Sequence, residues 1–161
     1  MPLNKIEFVV REIRQSDLQK GFFKTLSNLT KLGNIPYDHK HANLVYNNLK
    51  SSAAYKIFVA VKVDDEEVIG SVTLFLEQKF IHDGGICAHL GDVATRKGYE
   101  RIGVASSLIK TAVEFAKKND CYKVILRCRN ELKKFYENNG FSNYDMIAMT
   151  MYLKECTCSD Y

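Results

Sequence analysis

Residues 86–128 constrain this chain more than any other stretch. Ile86 to Thr95 reads as a strand, and Lys97-Gly98-Tyr99-Glu100-Arg101-Ile102-Gly103 reads as a loop. Val104, Leu108, Ala112 and Phe115 then recur at helical spacing on one face. Cys121 to Cys128 is a short apolar run of the buried-strand kind. Two strands joined through a helix cannot form a hairpin, so this stretch is a βαβ unit with a parallel pair. A mixed α/β architecture in one domain follows.

The flanking sequence extends that unit on both sides. Residues 6–13 are rich in β-branched residues and read as a strand. Ser16 and Gln19 have capping-box spacing, and Leu18, Phe22, Leu26, Leu29 and Leu32 predict one buried helix face ending at Gly33. Ile35-Pro36-Tyr37-Asp38 opens a second helix with Leu44, Val45 and Leu49 inward. Residues 55–63 and 68–77 form a hairpin across the acidic turn Asp64-Asp65-Glu66-Glu67, and Lys79 to Gly85 is a polar loop. After residue 128 come a short helix with Leu132, Phe135 and Tyr136, a stop at Asn139-Gly140, and a last strand over 145–153. The predicted order is β, α, α, β, β, β, α, β, α, β, one domain with its core over 6–153 and a tail over 154–161.

Composition narrows the function classes. Hydrophobic residues make up 46% of the 161, enough for a core of this size. Lys and Arg total 23 against 19 acidic residues, a net charge of +4 that suits an anionic small molecule. The charges alternate instead of forming a basic run with interleaved aromatics, so no nucleic-acid partner is expected. No apolar run approaches the roughly 20 residues of a membrane span. Met1 to Lys5 lack an apolar leader, so no membrane partner and a cytoplasmic location are expected. Cys87, Cys121 and Cys128 lie in apolar segments and read as reduced core residues. Cys156-Thr157-Cys158 is too closely spaced for a zinc pattern, so no metal site is expected.

Two motifs carry chemistry. Arg101-Ile102-Gly103-Val104-Ala105-Ser106 places Gly and Ala where backbone turns into helix, so an anion can reach main-chain N–H groups and the helix dipole. It is neither a Walker loop nor the three-glycine dinucleotide fingerprint. Lys134-Phe135-Tyr136-Glu137-Asn138-Asn139-Gly140-Phe141 is, by itself, ordinary helix-stop chemistry.

Together the motifs resemble the GNAT acyltransferase superfamily, which carries Gln/Arg-x-x-Gly-x-Gly/Ala at its pyrophosphate loop and Tyr-x-x-x-Gly-Phe near the C-terminus. Gly103 and Ala105 match the first pattern, with Glu100 at its first position; Tyr136, Gly140 and Phe141 match the second in full. Residues 81–94, Leu29-Thr30 and 120–126 are similar to eukaryotic glucosamine 6-phosphate N-acetyltransferases. Gly91 stands where that family usually has Glu, Arg127 where an acidic residue is usual, and Leu132 where Asn is common. The family's C-terminal basic residue falls near Tyr152 or Lys154.

The resemblance implies a mixed central sheet flanked by helices, with parallel strands that splay to admit acetyl-CoA. It implies pantetheine pairing with the backbone of Val93, Ala94 and Thr95. Pyrophosphate would lie on Arg101, Ile102, Gly103, Val104, Ala105 and Ser106. Val93 N–H would stabilise the oxyanion, Tyr136 the departing thiolate, and Asp92 would accept from the amine or a hydroxyl. Thr30, Lys79, His82, Gly91, Asp92, Tyr122 and Lys123 match sugar-phosphate positions. A homodimer making N-acetylglucosamine 6-phosphate, toward UDP-N-acetylglucosamine, is the reading it implies. Another amine acceptor, such as a polyamine or protein lysine, and a non-catalytic acetyl-CoA-binding module are the alternatives.

Overall fold

The computed structural model describes residues 6–153. Five strands form one sheet in the order β1-β2-β3-β4-β5: β1 (Phe8–Glu12), β2 (Tyr55–Lys62), β3 (Val68–Gln78), β4 (Ile86–Thr95) and β5 (Cys121–Leu126). The first four are antiparallel neighbours, and β4 and β5 are parallel. The helices are α1 (Phe22–Leu26), α2 (His39–Ser51), the single distorted turn α3 (Ile81–Gly84), α4 (Val104–Lys118) and α5 (Lys133–Asn138). The expected βαβ unit is therefore β4-α4-β5.

Alternation along the strands divides the core between the two faces of the sheet. Phe58, Ala60, Ile69, Val72, Leu74, Ala88 and Leu90 face α4 and meet Val104, Leu108, Ile109, Ala112 and Ala116. Val59, Val61 and Val68 face the other way and pack with Ile13 and Phe22. Cover on both faces explains the nearly continuous apolar run of β2. Gly70 has a particular use here. It pairs with Thr95 of β4, and a Cβ on it would strike the Val104 side chain. The missing side chain lets the first turn of α4 sit close against the sheet, over the end of β4.

Several sequence expectations give way. The long helix from Leu18 to Leu32 is broken into a 3-10 turn (Gln15–Gln19) and the short α1, because Gly21 between them takes φ of 88°. The turn is capped by Asp17, whose carboxylate accepts the Arg14 N–H, and not by Ser16 and Gln19. Asp17 can be fully buried because its carboxylate accepts from Nη1 and Nη2 of Arg11, at 2.7 and 2.9 Å, and from the Arg14 N–H at 2.7 Å. In α2, Asp38 caps the His41 N–H and Ala42 is the buried position, while Leu44 faces out at 59% exposure.

β5 ends at Leu126 and is an edge strand with no fully buried residue, so Cys128 is exposed instead of packed. Cys87 is buried and Cys121 half-buried, and all three are free thiols. The expected strand over 145–153 is not formed in the single chain. Met146, Ile147, Met149, Met151 and Leu153 are each more than four-fifths exposed. A strand exists only through its hydrogen-bonded neighbour, and this segment pairs with no strand among the described residues. The tail over 154–161, with Cys156 and Cys158, lies outside the described residues.

Candidate active site

The site begins where two parallel strands part. β4 and β5 pair from Ile86 with Cys121 to Leu90 with Leu126, and there β5 ends while β4 runs on to Thr95. A bulge marks the parting. Ser71 pairs with Ala94 and Thr73 with Gly91, so Asp92 and Val93 together oppose Val72. Asp92 absorbs the extra residue with φ of 48°, a left-handed conformation that Asp tolerates better than most side chains. Past Leu90, the side of β4 turned toward β5 has no strand partner among the described residues. It is an edge on which an extended ligand can pair its own amides. Thr95 is partly engaged already, since its carbonyl accepts the Asn28 side chain at 2.7 Å.

The N-terminus of α4 closes one end of this groove. The first intrahelical bond runs from Ser107 N–H to the Gly103 carbonyl at 3.0 Å. The N–H groups of Val104, Ala105 and Ser106 therefore have no partner within the helix. No acidic residue lies in the first turn, and Lys117 and Lys118 occupy the last. The positive end of the helix dipole is left for an external anion. Gly103 takes φ of 90°, and no heavy atom lies within 4 Å of where its Cβ would stand, so the approach is open. Glu100 turns its carboxylate back into the loop, where it accepts the Gly98 N–H at 2.6 Å. Arg101 holds φ of 66° and its side chain is exposed.

Tyr136, on α5, belongs to the core cluster on the α4 side of the sheet, with Ala88 and Leu90 of β4. It is 8% exposed, with its ring edge-on to Phe135 at 5.1 Å and Phe141 at 6.0 Å. Its own carbonyl receives the Asn139 and Phe141 N–H groups, which fixes the helix stop at Gly140. Burial, with a smaller contribution from nearby Cys128, holds the phenol above its ordinary pKa. At neutral pH it is a protonated hydrogen-bond donor.

The acceptor-side residues do not gather in one place. Gly91 and Asp92 lie exposed at the parting of the strands. Thr30 follows Asn28, which is tied to Thr95, so it belongs to the same end. Lys79, His82, Tyr122 and Lys123 collect at the opposite end of the β4-β5 pair. His82 stacks on Tyr122 at 4.4 Å, Lys123 lies 5.5 Å from the same ring, and Lys79 pairs with Glu77 at 2.5 Å. Asp92 is six residue steps along the strand from Ile86, about 20 Å. Within one chain the expected sugar-phosphate set is therefore two clusters.

His89 lies on the strand just before the parting. It is half-buried, with Nε2 2.7 Å from Glu77 Oε2. A cavity of about 300 Å³ lies elsewhere, between α1 and α2 near Gly21, Lys24 and His39. No strand residue lines it, and the α2 N-terminus that borders it at His39 is already capped by Asp38. Sequence reading missed Asn28 and Arg96, which brace the end of β4. A polar residue on an amphipathic segment and an Arg beside a loop carry no pattern that marks them. Among the described residues no cluster of metal-ligating side chains occurs.

A parted parallel pair, an unpartnered strand edge and a helix N-terminus over a glycine turn define an acyl-CoA-type groove. The chain belongs to the acetyltransferase (GNAT) family, whose model matches residues 20–141. Its more particular likeness is to glucosamine 6-phosphate N-acetyltransferases. It is 31% identical over 132 residues to the probable enzyme of that name from Drosophila melanogaster, covering 82% of this chain and 59% of that protein. The chain thus spans less than two thirds of that relative's length. It is 29% identical to the Candida albicans enzyme over 137 residues, 84% of this chain and 90% of that one. The crystal structure of the Arabidopsis thaliana enzyme superposes with a TM-score of 0.87 at 27% identity, covering 92% of this chain and 99% of that one.

Proposed function

We propose that this chain transfers the acetyl group of acetyl-CoA to the amine of glucosamine 6-phosphate, giving N-acetylglucosamine 6-phosphate and CoA. The observation that carries the donor half is the unpartnered edge of β4 leading to the open N-terminus of α4. The acceptor half rests on the likeness to the named enzymes. Backbone of Val93, Ala94 and Thr95 takes the pantetheine arm, and the first turn of α4 takes the pyrophosphate, with Arg101 assisting. The attacking amine must be neutral, and Asp92 accepts its hydrogen bond. Val93 N–H faces the oxyanion as the thioester carbonyl becomes tetrahedral. Tyr136, held protonated, donates to the thiolate as it leaves. The product feeds nucleotide-sugar synthesis in the cytoplasm.

Incubation with acetyl-CoA and a panel of amines, followed by free thiol, tests this. Rapid thiol release with glucosamine 6-phosphate and little with spermidine or a lysine peptide is the expected result. Release with another amine alone replaces the acceptor. No release with any amine reduces the chain to an acetyl-CoA-binding module.

Glu100 brings a carboxylate into the pyrophosphate loop. Glu100→Gln keeps an acceptor for the Gly98 N–H and removes the charge. CoA binding is expected to tighten by about threefold to tenfold at low salt, with the gain shrinking as ionic strength rises. Calorimetry at two salt concentrations checks this; unchanged affinity at low salt would show that the carboxylate does not face the anion.

The working form we propose is a homodimer. The exposed run of Met146, Ile147, Met149, Met151 and Leu153 is an apolar surface that a second chain would cover. On the sheet, Phe75, His89 and Ile125 form a half-open strip of the kind such a segment fits. A second copy can also bring its Lys79-His82-Tyr122-Lys123 cluster to the Asp92 of the first. Light scattering at micromolar concentration should give about twice the 18.4 kDa chain mass. Deleting residues 144–161 should give monomers with almost no turnover. A monomeric, fully active full-length chain would rule the dimer out.

A further inference from the structure

Among the described residues, Arg96 is the one buried charged side chain that leaves donor atoms without a partner. It is 4% exposed and immediately follows Thr95, the last residue of β4. One guanidinium nitrogen, Nη1, pairs with Glu67, while Nε and Nη2 are buried without a partner. Asp17, equally buried, shows how this protein meets a charge that serves only packing: both oxygens are paired and a backbone N–H is added. Burying a guanidinium with most of its donors unmatched is unfavourable. An apolar side chain would avoid that cost, so the shape and reach of Arg are what the position uses.

Three segments meet at this side chain. Nη2 occupies the place a Cβ on Gly21 would take, so the start of α1 is seated directly on the guanidinium. The guanidinium carbon lies 6.0 Å from the centre of the Tyr99 ring, inside the loop that leads to α4. The main chain of Arg96 completes the joint. Its N–H donates to the Ile69 carbonyl of β3 at 2.8 Å, and its carbonyl accepts the Tyr99 N–H at 3.0 Å. The Asn28 bond to Thr95 ties α1 to the preceding residue of the same strand.

We propose that Arg96 is a positioning residue for acetyl-CoA, holding the free edge of β4 and the 97–103 loop in register with each other through α1. The inference rests on the reading that CoA lies along Val93–Thr95 and on the first turn of α4. A ligand that pairs with a strand at one end and a helix N-terminus at the other senses any shift between them. Misplacement by about 1 Å is enough to lose much of such an interaction. Arg96 touches neither end and acts through the backbone it fixes.

The test compares Arg96→Met, Arg96→Lys and Arg11→Met. Arg11→Met strips the partner from Asp17 and destabilises a site away from the groove. Calorimetry with CoA, steady-state kinetics and melting curves are read on each. Arg96→Met is expected to weaken CoA binding and raise KM for acetyl-CoA by about tenfold, with kcat within about threefold of wild type. Arg96→Lys should recover part of the loss, and Arg11→Met should lower Tm with KM unmoved. Should Arg96→Met fail to fold, Glu67→Gln loosens only the outer anchor and should weaken CoA binding by about twofold to threefold. CoA affinity in the folded variant within twofold of wild type overturns the proposal, as does unchanged affinity in Glu67→Gln where that variant must decide. A wild-type protein that does not bind CoA instead overturns the proposed function itself.

Discussion

Gly103→Glu should leave no measurable CoA binding in a folded protein. Gly103 sits at φ of 90° at the head of α4, with nothing within 4 Å of its Cβ direction. A Glu side chain there enters the space in front of the free N–H groups of Val104, Ala105 and Ser106. It fills that space and places a negative charge where the pyrophosphate must lie. The left-handed backbone adds strain of about 1–2 kcal/mol for any L side chain. Gly103→Ala carries the same strain without the carboxylate, so it should lower Tm by a similar amount and keep much of its CoA affinity. Calorimetry on the pair separates the two effects. Unchanged CoA affinity in folded Gly103→Glu would remove this helix terminus from the site.

Tyr136→Phe should lower turnover by roughly 10- to 1,000-fold, about 1.4–4 kcal/mol, with a smaller effect on acetyl-CoA affinity. The substitution removes one oxygen and keeps the ring that packs edge-on between Phe135 and Phe141. A phenol that donates to a developing thiolate interacts more strongly in the transition state than in the ground state, so its loss appears in kcat. A purely structural phenol predicts the opposite pattern, a lower melting temperature with turnover nearly intact. The pKa, raised by burial, keeps Tyr136 protonated across the neutral range, so its donor role itself gives no pH dependence there. Near-normal turnover in the variant would take Tyr136 out of the chemistry.

The βαβ unit was legible because each part repeats on its own short period. Val104, Leu108 and Ala112 line one side of a helix wherever that helix lies, and all three are buried under the sheet. β4 was readable to its ends, Ile86 and Thr95, because the apolar run is bounded by the Gly85 turn and the Lys97-Gly98 loop. The helix after residue 18 failed for the converse reason. Its apolar spacing holds through Gly21, but one left-handed glycine redirects the chain, and spacing does not record backbone dihedrals. The 145–153 segment has strand composition and no strand, since pairing is a property of two segments and composition of one.

At the site, the chain itself determined the residue types: a glycine turn into a helix, a buried Tyr before Gly-Phe, and a strand carrying Asp92-Val93-Ala94-Thr95. Tertiary structure decided what those residues can reach. The bulge at Asp92 and the end of β5 at Leu126 part the strands, and only the register of three strands determines where that happens. The inward turn of Glu100 and the burial of Arg96 against Gly21 and Tyr99 depend on loop and helix packing far apart in sequence. So does the division of the acceptor residues between two ends of one strand pair. Sequence periodicity states which side of an element is buried; the distance between two side chains is set by the path of the whole chain.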